Sequence, residues 1–223
     1  LVTSGKLSSE ALTGQTSATI AAGDTILLSD VDASGALKKD TVQGILDLVP
    51  AGGGWGFVSE DIITSTTASA AFVNMTSGYD YMYTLANVSP VTDGTGLECE
   101  LGIAGPTYRV ANYYGSGARI NVLVTTVDSN AKTDAIAITQ ANFSNAADEG
   151  LSGVITFFDP ADAGSDTFWT HRSNHTVAAG SVQSNTYGGG HYTTAEAHTC
   201  VKFAMASGNI ATSIIRQYRR ANA

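Results

Sequence analysis

The sequence predicts a mainly β protein, an antiparallel β-sandwich or jelly-roll body with a small N-terminal strand–turn–helix appendage. Apolar and polar residues alternate through runs such as LECELGI, SGVITFF and ATSIIRQY, the period of a half-buried strand. Clusters of Gly, Asp, Asn and Ser separate these runs, and no long apolar pattern of helical period interrupts them. Glycines in AGGGWG, residues 51–56, divide the chain into an appendage, residues 1–50, and a body, residues 57–223.

In the appendage, Gly23-Asp24 leads into an extended segment at Thr25–Ser29, and DVDASG has turn chemistry throughout. Asp40, with Gln43 three residues on, reads as a helix N-cap, and Val42, Ile45, Leu46 and Val49 then share one side of a short helix. Asp30, Asp32, Ser34 and Gly35 match the first positions of a calcium loop. The ninth position is Lys38 and the twelfth is Thr41, where calcium needs a bidentate carboxylate. This stretch is a turn. So few apolar groups in fifty residues cannot form a core alone, which makes Ile26, Leu28, Val42, Ile45 and Leu46 candidate contacts between copies.

The body reads as extended pieces: FVSEDIIT, AAFVNMT, YDYMYTLANV, LECELGIA, YRVANYY, ARINVLVTTV, DAIAITQANF, LSGVITFFD, DTFWTHRSNHT, AEAHTCVKFAM and ATSIIRQYRR. The turn-rich stretches SGYD, DGTG, DSNAKTD and NTYGGG read as connections between them.

Eleven basic residues against twenty acidic ones give a net charge of −9. Such a surface repels a polyanion, and Arg216, Arg219 and Arg220 are too short a basic stretch for nucleic-acid binding. No apolar run reaches the roughly 20 residues that span a bilayer, so membrane insertion is not expected. LVTSGKLSSEALTG lacks the basic start and apolar centre of a signal peptide. Cys99 falls on the apolar side of its strand and Cys200 on the opposite face of its own, so two free thiols are expected.

His171 and His175 stand four apart, a spacing that places them together on a helix, which this region is not. Glu196 and His198 share one side of an expected strand. A metal could bind there, but surface or subunit-contact histidines are the commoner outcome. No GxSxG motif is present, no cysteine stands beside a base, and Glu98 and Glu100 lie on a solvated face. Neither catalytic residues nor a metal or cofactor are expected. Tyr79, Tyr81 and Tyr83 line one strand face. Tyr113, Tyr114, Trp169, Tyr187 and Tyr192, with His171 and His191, are candidate surface recognition residues. Such rings suit sugar stacking, but packing within the sandwich or contact between subunits is the commoner outcome.

The segment DTILLSDVDASGALKKDTVQGIL resembles a short module of phage tail-fibre and related virion proteins. The stretches GYDYMYTLANVSPVTDGTGLECEL, SGVITFFDP and YTTAEAHTCVKFAMASGNIATSIIRQYRR resemble the β-sandwich that closes many such chains. Ser207, Gly208, Asn209, Ile210, Ala211 and Tyr218 match the closing pattern. Ser213 and Arg219 depart from it where glycine is usual. The resemblance implies a non-enzymatic virion structural protein, a homotrimeric fibre or spike component. Its appendage would bind other virion proteins, tail or capsid, and its sandwich would contact a host-surface glycan or protein. A head fibre or capsid-decorating protein is the alternative within the same class. A polysaccharide-degrading tailspike would need a groove and buried acids, for which this chain is short.

Overall fold

A computed structural model describes residues 25–30, 36–41, 54–104, 107–121, 125–128, 133–139, 143–146, 149–177 and 182–222. The chain divides into two compact units, Leu1–Gly52 and Gly53–Ala223.

In the first unit, β1 (Thr25–Asp30) and β2 (Ala36–Thr41) form an antiparallel pair. This corrects part of the expected strand–turn–helix. Asp40 is no helix cap but a ladder residue opposite Ile26, and Lys38 stands opposite Leu28. The capping-box spacing is a local signal. Cross-strand hydrogen bonding engages the backbone of residues 36–41 and overrides it. The expected turn at 31–35, the helix from 42 onward, and Val42, Ile45 and Leu46 lie outside the described residues.

The second unit is antiparallel throughout, with no helix among its described residues. One sheet contains β4 (Ser69–Phe72), β6 (Leu97–Ile103), β7 (Thr107–Tyr108), β10 (Ile136–Ala137) and β14 (Cys200–Met205), ordered β10-β6-β14-β4 with β7 on β6. The other contains β3 (Gly56–Ile63), β5 (Tyr79–Pro90), β8 (Tyr113–Asn121), β9 (Thr125–Asp128), β11 (Leu151–Phe158), β12 (Thr167–Val177), β13 (Val182–Tyr192) and β15 (Ile210–Ala221). Its order is β3-β15-β5-β11-β12-β13-β8-β9.

The inward residues of both sheets share one core. Tyr83 of β5 lies at its centre, with ring centroids 5.2 Å from Phe72 and 5.3 Å from Phe203 on the facing sheet, and 6.0 Å from Phe157 beside it. Its hydroxyl accepts from Gln217 Nε2 at 2.9 Å and donates to Met75 Sδ at 3.3 Å, while Ser59 Oγ donates to Gln217 Oε1. A buried phenol is thereby satisfied inside an apolar layer. Gly94 (φ 77°) and Gly208 (φ 78°) turn the chain before β6 and before β15, in a backbone region that L side chains resist.

NTYGGG is not a connection. Residues 185–190 lie within β13, paired to β12 on one side and β8 on the other. The reason is close packing. A Cβ on Gly190 would collide with the Tyr114 carbonyl oxygen of β8 and stand 2.6 Å from Trp169 Cζ2, and one on Gly188 would stand 2.9 Å from His171 Nε2. Glycine here is demanded by the neighbouring backbone and the facing rings rather than by a turn.

Both cysteines are free and buried. Cys99 and Cys200 lie on adjacent strands, but Cys99 is paired with Phe203 and Cys200 with Gly102, so their side chains point to opposite faces.

Candidate functional site

Strands β11, β12, β13 and β8 are neighbours in the larger sheet, and alternation gives each an inward and an outward row. On β12 the inward row is Trp169, His171, Ser173 and His175, and the outward row is Phe168, Thr170, Arg172 and Asn174. His171 and His175 therefore do share a face, because residues four apart in a strand point the same way. They stand about 13 Å apart along it, too far to ligate one metal. Among the described residues there is no cluster of metal-ligating side chains.

Three of the seven candidate recognition residues belong to the interior. Tyr113, Trp169 and Tyr192 are buried, with Tyr113 packed 6.1 Å from Trp169 and 5.1 Å from Tyr192. The Tyr113 hydroxyl accepts from the Leu101 amide at 2.8 Å and donates to the Arg109 carbonyl at 3.1 Å. His171 also faces inward, its ring nitrogens buried without hydrogen-bond partners among the described residues. Tyr114, Tyr187 and His191 are outward.

The outward residues build a shaped surface. Cross-strand register sets Phe158, Phe168, His191 and Tyr114 in one row across the four strands. Phe158, Phe168 and Tyr114 are 38%, 53% and 51% exposed. His191 lies between its neighbours, 5.5 Å from the Phe168 ring and stacked 6.2 Å from Tyr114 at an interplanar angle of 22°. The next outward row is Thr156, Thr170, Gly189 and Ser116, and the one after it Val154, Arg172, Tyr187 and Ala118. A shallow trough floored by small residues thus runs between an aromatic wall and a second wall made by Tyr187 and Arg172. The walls stand about 13 Å apart and the aromatic wall is about 14 Å long. Beyond Arg172, Asn174 Nδ2 donates to Asn185 Oδ1 at 2.9 Å.

Sequence reasoning missed Phe158 and Phe168. In DTFWTH the large neighbouring rings point to opposite faces, and Trp169, the residue singled out, is the inner one. The polar residues Thr170, Arg172 and Asn174 in register with Phe168 carry the signal that its row faces water.

A second polar cluster lies near Tyr192. Arg109 Nε donates to Glu196 Oε1 at 2.7 Å, and its Nη2 pairs with Glu196 Oε2. His198 Nε2 stands 3.3 Å from Glu196 Oε1, and its Nδ1 is 2.9 Å from Thr167 Oγ1. Burial pushes the His198 pKa down against the opposing pull of Glu196. Glu196 is pushed up by burial, but hydrogen bonds from Arg109 and Tyr192 and the charge of Arg109 prevail and hold it below its ordinary value. A Thr–His–Glu chain has the order of a nucleophile relay. Here Thr167 and His198 are buried and the imidazole ring packs 4.7 Å from Tyr192, so the hydroxyl meets no cleft. The cluster ties together the segments around residues 109, 167 and 196. His198 is thus neither the surface nor the subunit-contact histidine expected, and residues 193–199 form no strand.

Fold and surface define an antiparallel β protein with an exposed, ring-walled sheet face. No family model, curated protein or solved structure matches the chain.

Proposed function

We propose that this chain is a non-enzymatic structural protein of a bacteriophage particle, a fibre or spike component whose jelly-roll-like body contacts a host-surface glycan. The observation that carries the reading is the row Phe158, Phe168, His191 and Tyr114, set on the outward face of the sheet beside a row of small residues. Rings fixed by a sheet offer flat apolar surface to the C–H faces of sugars at little cost in side-chain entropy. Asn174 and Asn185 add hydrogen-bonding groups suited to hydroxyls.

Trimeric assembly through residues 1–50, with attachment to other virion proteins there, belongs to the same reading. Its support is that β1 and β2 pair in a sheet of two strands among the described residues, and two strands alone are marginal in water. Light scattering of the full chain and binding to an oligosaccharide array test the proposal together. A mass of three chains, with array binding that Phe168→Ala weakens, is the expected result. A one-chain mass overturns the assembly, and failure of the intact chain to bind any oligosaccharide overturns the recognition.

A further inference from the structure

Resting on the glycan reading, we propose that the ligand of the trough is an acidic oligosaccharide whose carboxylate is held by Arg172. The chain carries twenty acidic residues, yet β11, β12, β13 and β8 contain neither Asp nor Glu. Four adjacent strands free of carboxylates leave one face of an acidic protein hospitable to an anion.

Arg172 is the exposed cation on that face, and its partner is aromatic. Its Cζ lies 5.3 Å from the Tyr187 ring centroid. Elsewhere in the body, Arg109, Arg216 and Arg220 are each bound to a carboxylate, of Glu196, Glu60 and Asp80 respectively; Arg219 also lies on a ring, that of Tyr79, but on β15, outside these four strands. Contact with a ring steadies a guanidinium without using its in-plane N–H donors. Those donors form a fork that matches a carboxylate. The Asn174–Asn185 pair lies one outward row beyond Arg172, and the Thr170–Gly189 floor one row before it. A sugar lying across the trough would thus meet a ring wall on one side and the fork on the other.

The carboxylates of the β11–β12 connection stand at the other end of this face, beyond the aromatic wall. Two of them are already engaged: Asp159 Oδ1 accepts from the Gly78 amide, and Asp162 accepts from the Gly164 amide and the Ser165 hydroxyl. A methyl on Gly189 would come 3.0 Å from the Trp169 carbonyl oxygen and would also raise the trough floor.

The test is binding of the full chain to a panel of uronate- and sialate-bearing oligosaccharides, each beside the same oligosaccharide with its carboxylates methyl-esterified. Binding to at least one acidic member is expected, weakened roughly tenfold to a hundredfold by esterification, as for loss of a charged hydrogen bond. Arg172→Ala should weaken acidic binding to the same degree and leave the esters unaffected. Arg172→Lys should fall between, since a point charge lacks the fork. Esters that bind as well as the free acids, or acidic binding indifferent to Arg172→Ala, would overturn the acidic ligand while leaving the glycan reading standing. No binding to any member, charged or neutral, would overturn both.

Discussion

The imidazole of His171 occupies the space that a side chain on Gly188 would need, the two residues standing directly opposite on β12 and β13. Replacement of Gly188 by alanine must therefore move the ring or the strand. Overpacking of this kind costs about 1–3 kcal/mol. Gly188→Ala should lower the urea midpoint accordingly, and Gly188→Ala with His171→Ala should recover part of the loss. Urea unfolding of Gly188→Ala, His171→Ala and the double variant checks this, and additive losses would speak against the packing argument.

The same inner face should make the protein sensitive to acid. Burial lowers His171 from 6.5 to about 4, and burial together with the nearby Arg119 charge lowers His175 to about 4. The unfolded chain then binds more protons than the folded one between those limits, so stability falls as pH drops from 6.5 to 4. Above 6.5 both forms are neutral and the two histidines contribute nothing. Below about 4 their contribution levels off. Each shift corresponds to at most about 3 kcal/mol. Urea midpoints measured at pH 7, 5.5 and 4.5 should decline steadily, and His175→Gln should flatten the decline.

Much of the fold was legible because it rests on period-two alternation. Runs such as LECELGI and SGVITFF bury every second residue wherever one face meets an apolar core. Legibility failed on β12 and β13, where both faces mix rings with small polar residues and alternation does not reveal which side is inside. Alternation alone leaves Trp169 and Tyr192 open to a surface reading and does not mark Phe168 as the outer ring. Glycine triggered the error at NTYGGG, since a turn and a ring-covered strand demand the same residue. Ala36–Thr41 failed differently, because a capping spacing is local and the pairing that overrides it is not.

The Arg109–Glu196–His198 cluster predicts a stability loss in a different pH window. Glu196 is held below its ordinary value in the folded chain, so its contribution is present above the unfolded carboxylate pKa and disappears as pH falls through the folded one. Glu196→Gln should cost no more than about 1 kcal/mol at pH 7, a modest figure because the pair is partly exposed and screened by solvent. It should leave the His171 and His175 part of the decline between pH 6.5 and 4 in place, and add to the part carried by His198, which loses the carboxylate that holds its pKa up. Urea titration of the variant at pH 7 and 5 separates the two effects.

The thiols offer a check on packing. Burial raises the pKa of both Cys99 and Cys200, and both side chains are shielded from solvent. Neither should react with a thiol reagent in the native protein, and both should react once it is unfolded. Reagent uptake counted by intact mass, before and after denaturant, reads this directly. Fast labelling of the folded chain would mean that the β6–β14 pair opens readily.

The aromatic wall should separate binding from stability. Phe168 and Tyr114 make their contacts on an exposed face, and His191 between them touches both rings. Truncating an exposed ring removes little buried area, so Phe168→Ala and Tyr114→Ala should each change stability by less than about 1 kcal/mol. If the wall carries recognition, the same substitutions should weaken oligosaccharide binding about tenfold, the typical cost of losing a central aromatic contact. Trp169→Ala supplies the contrast, since its ring is core and its loss should cost about 3–5 kcal/mol of stability. Melting curves and oligosaccharide titrations on the three variants distinguish the cases. Strong destabilisation by Phe168→Ala with unchanged affinity would show that the outer ring serves the sheet and not a ligand.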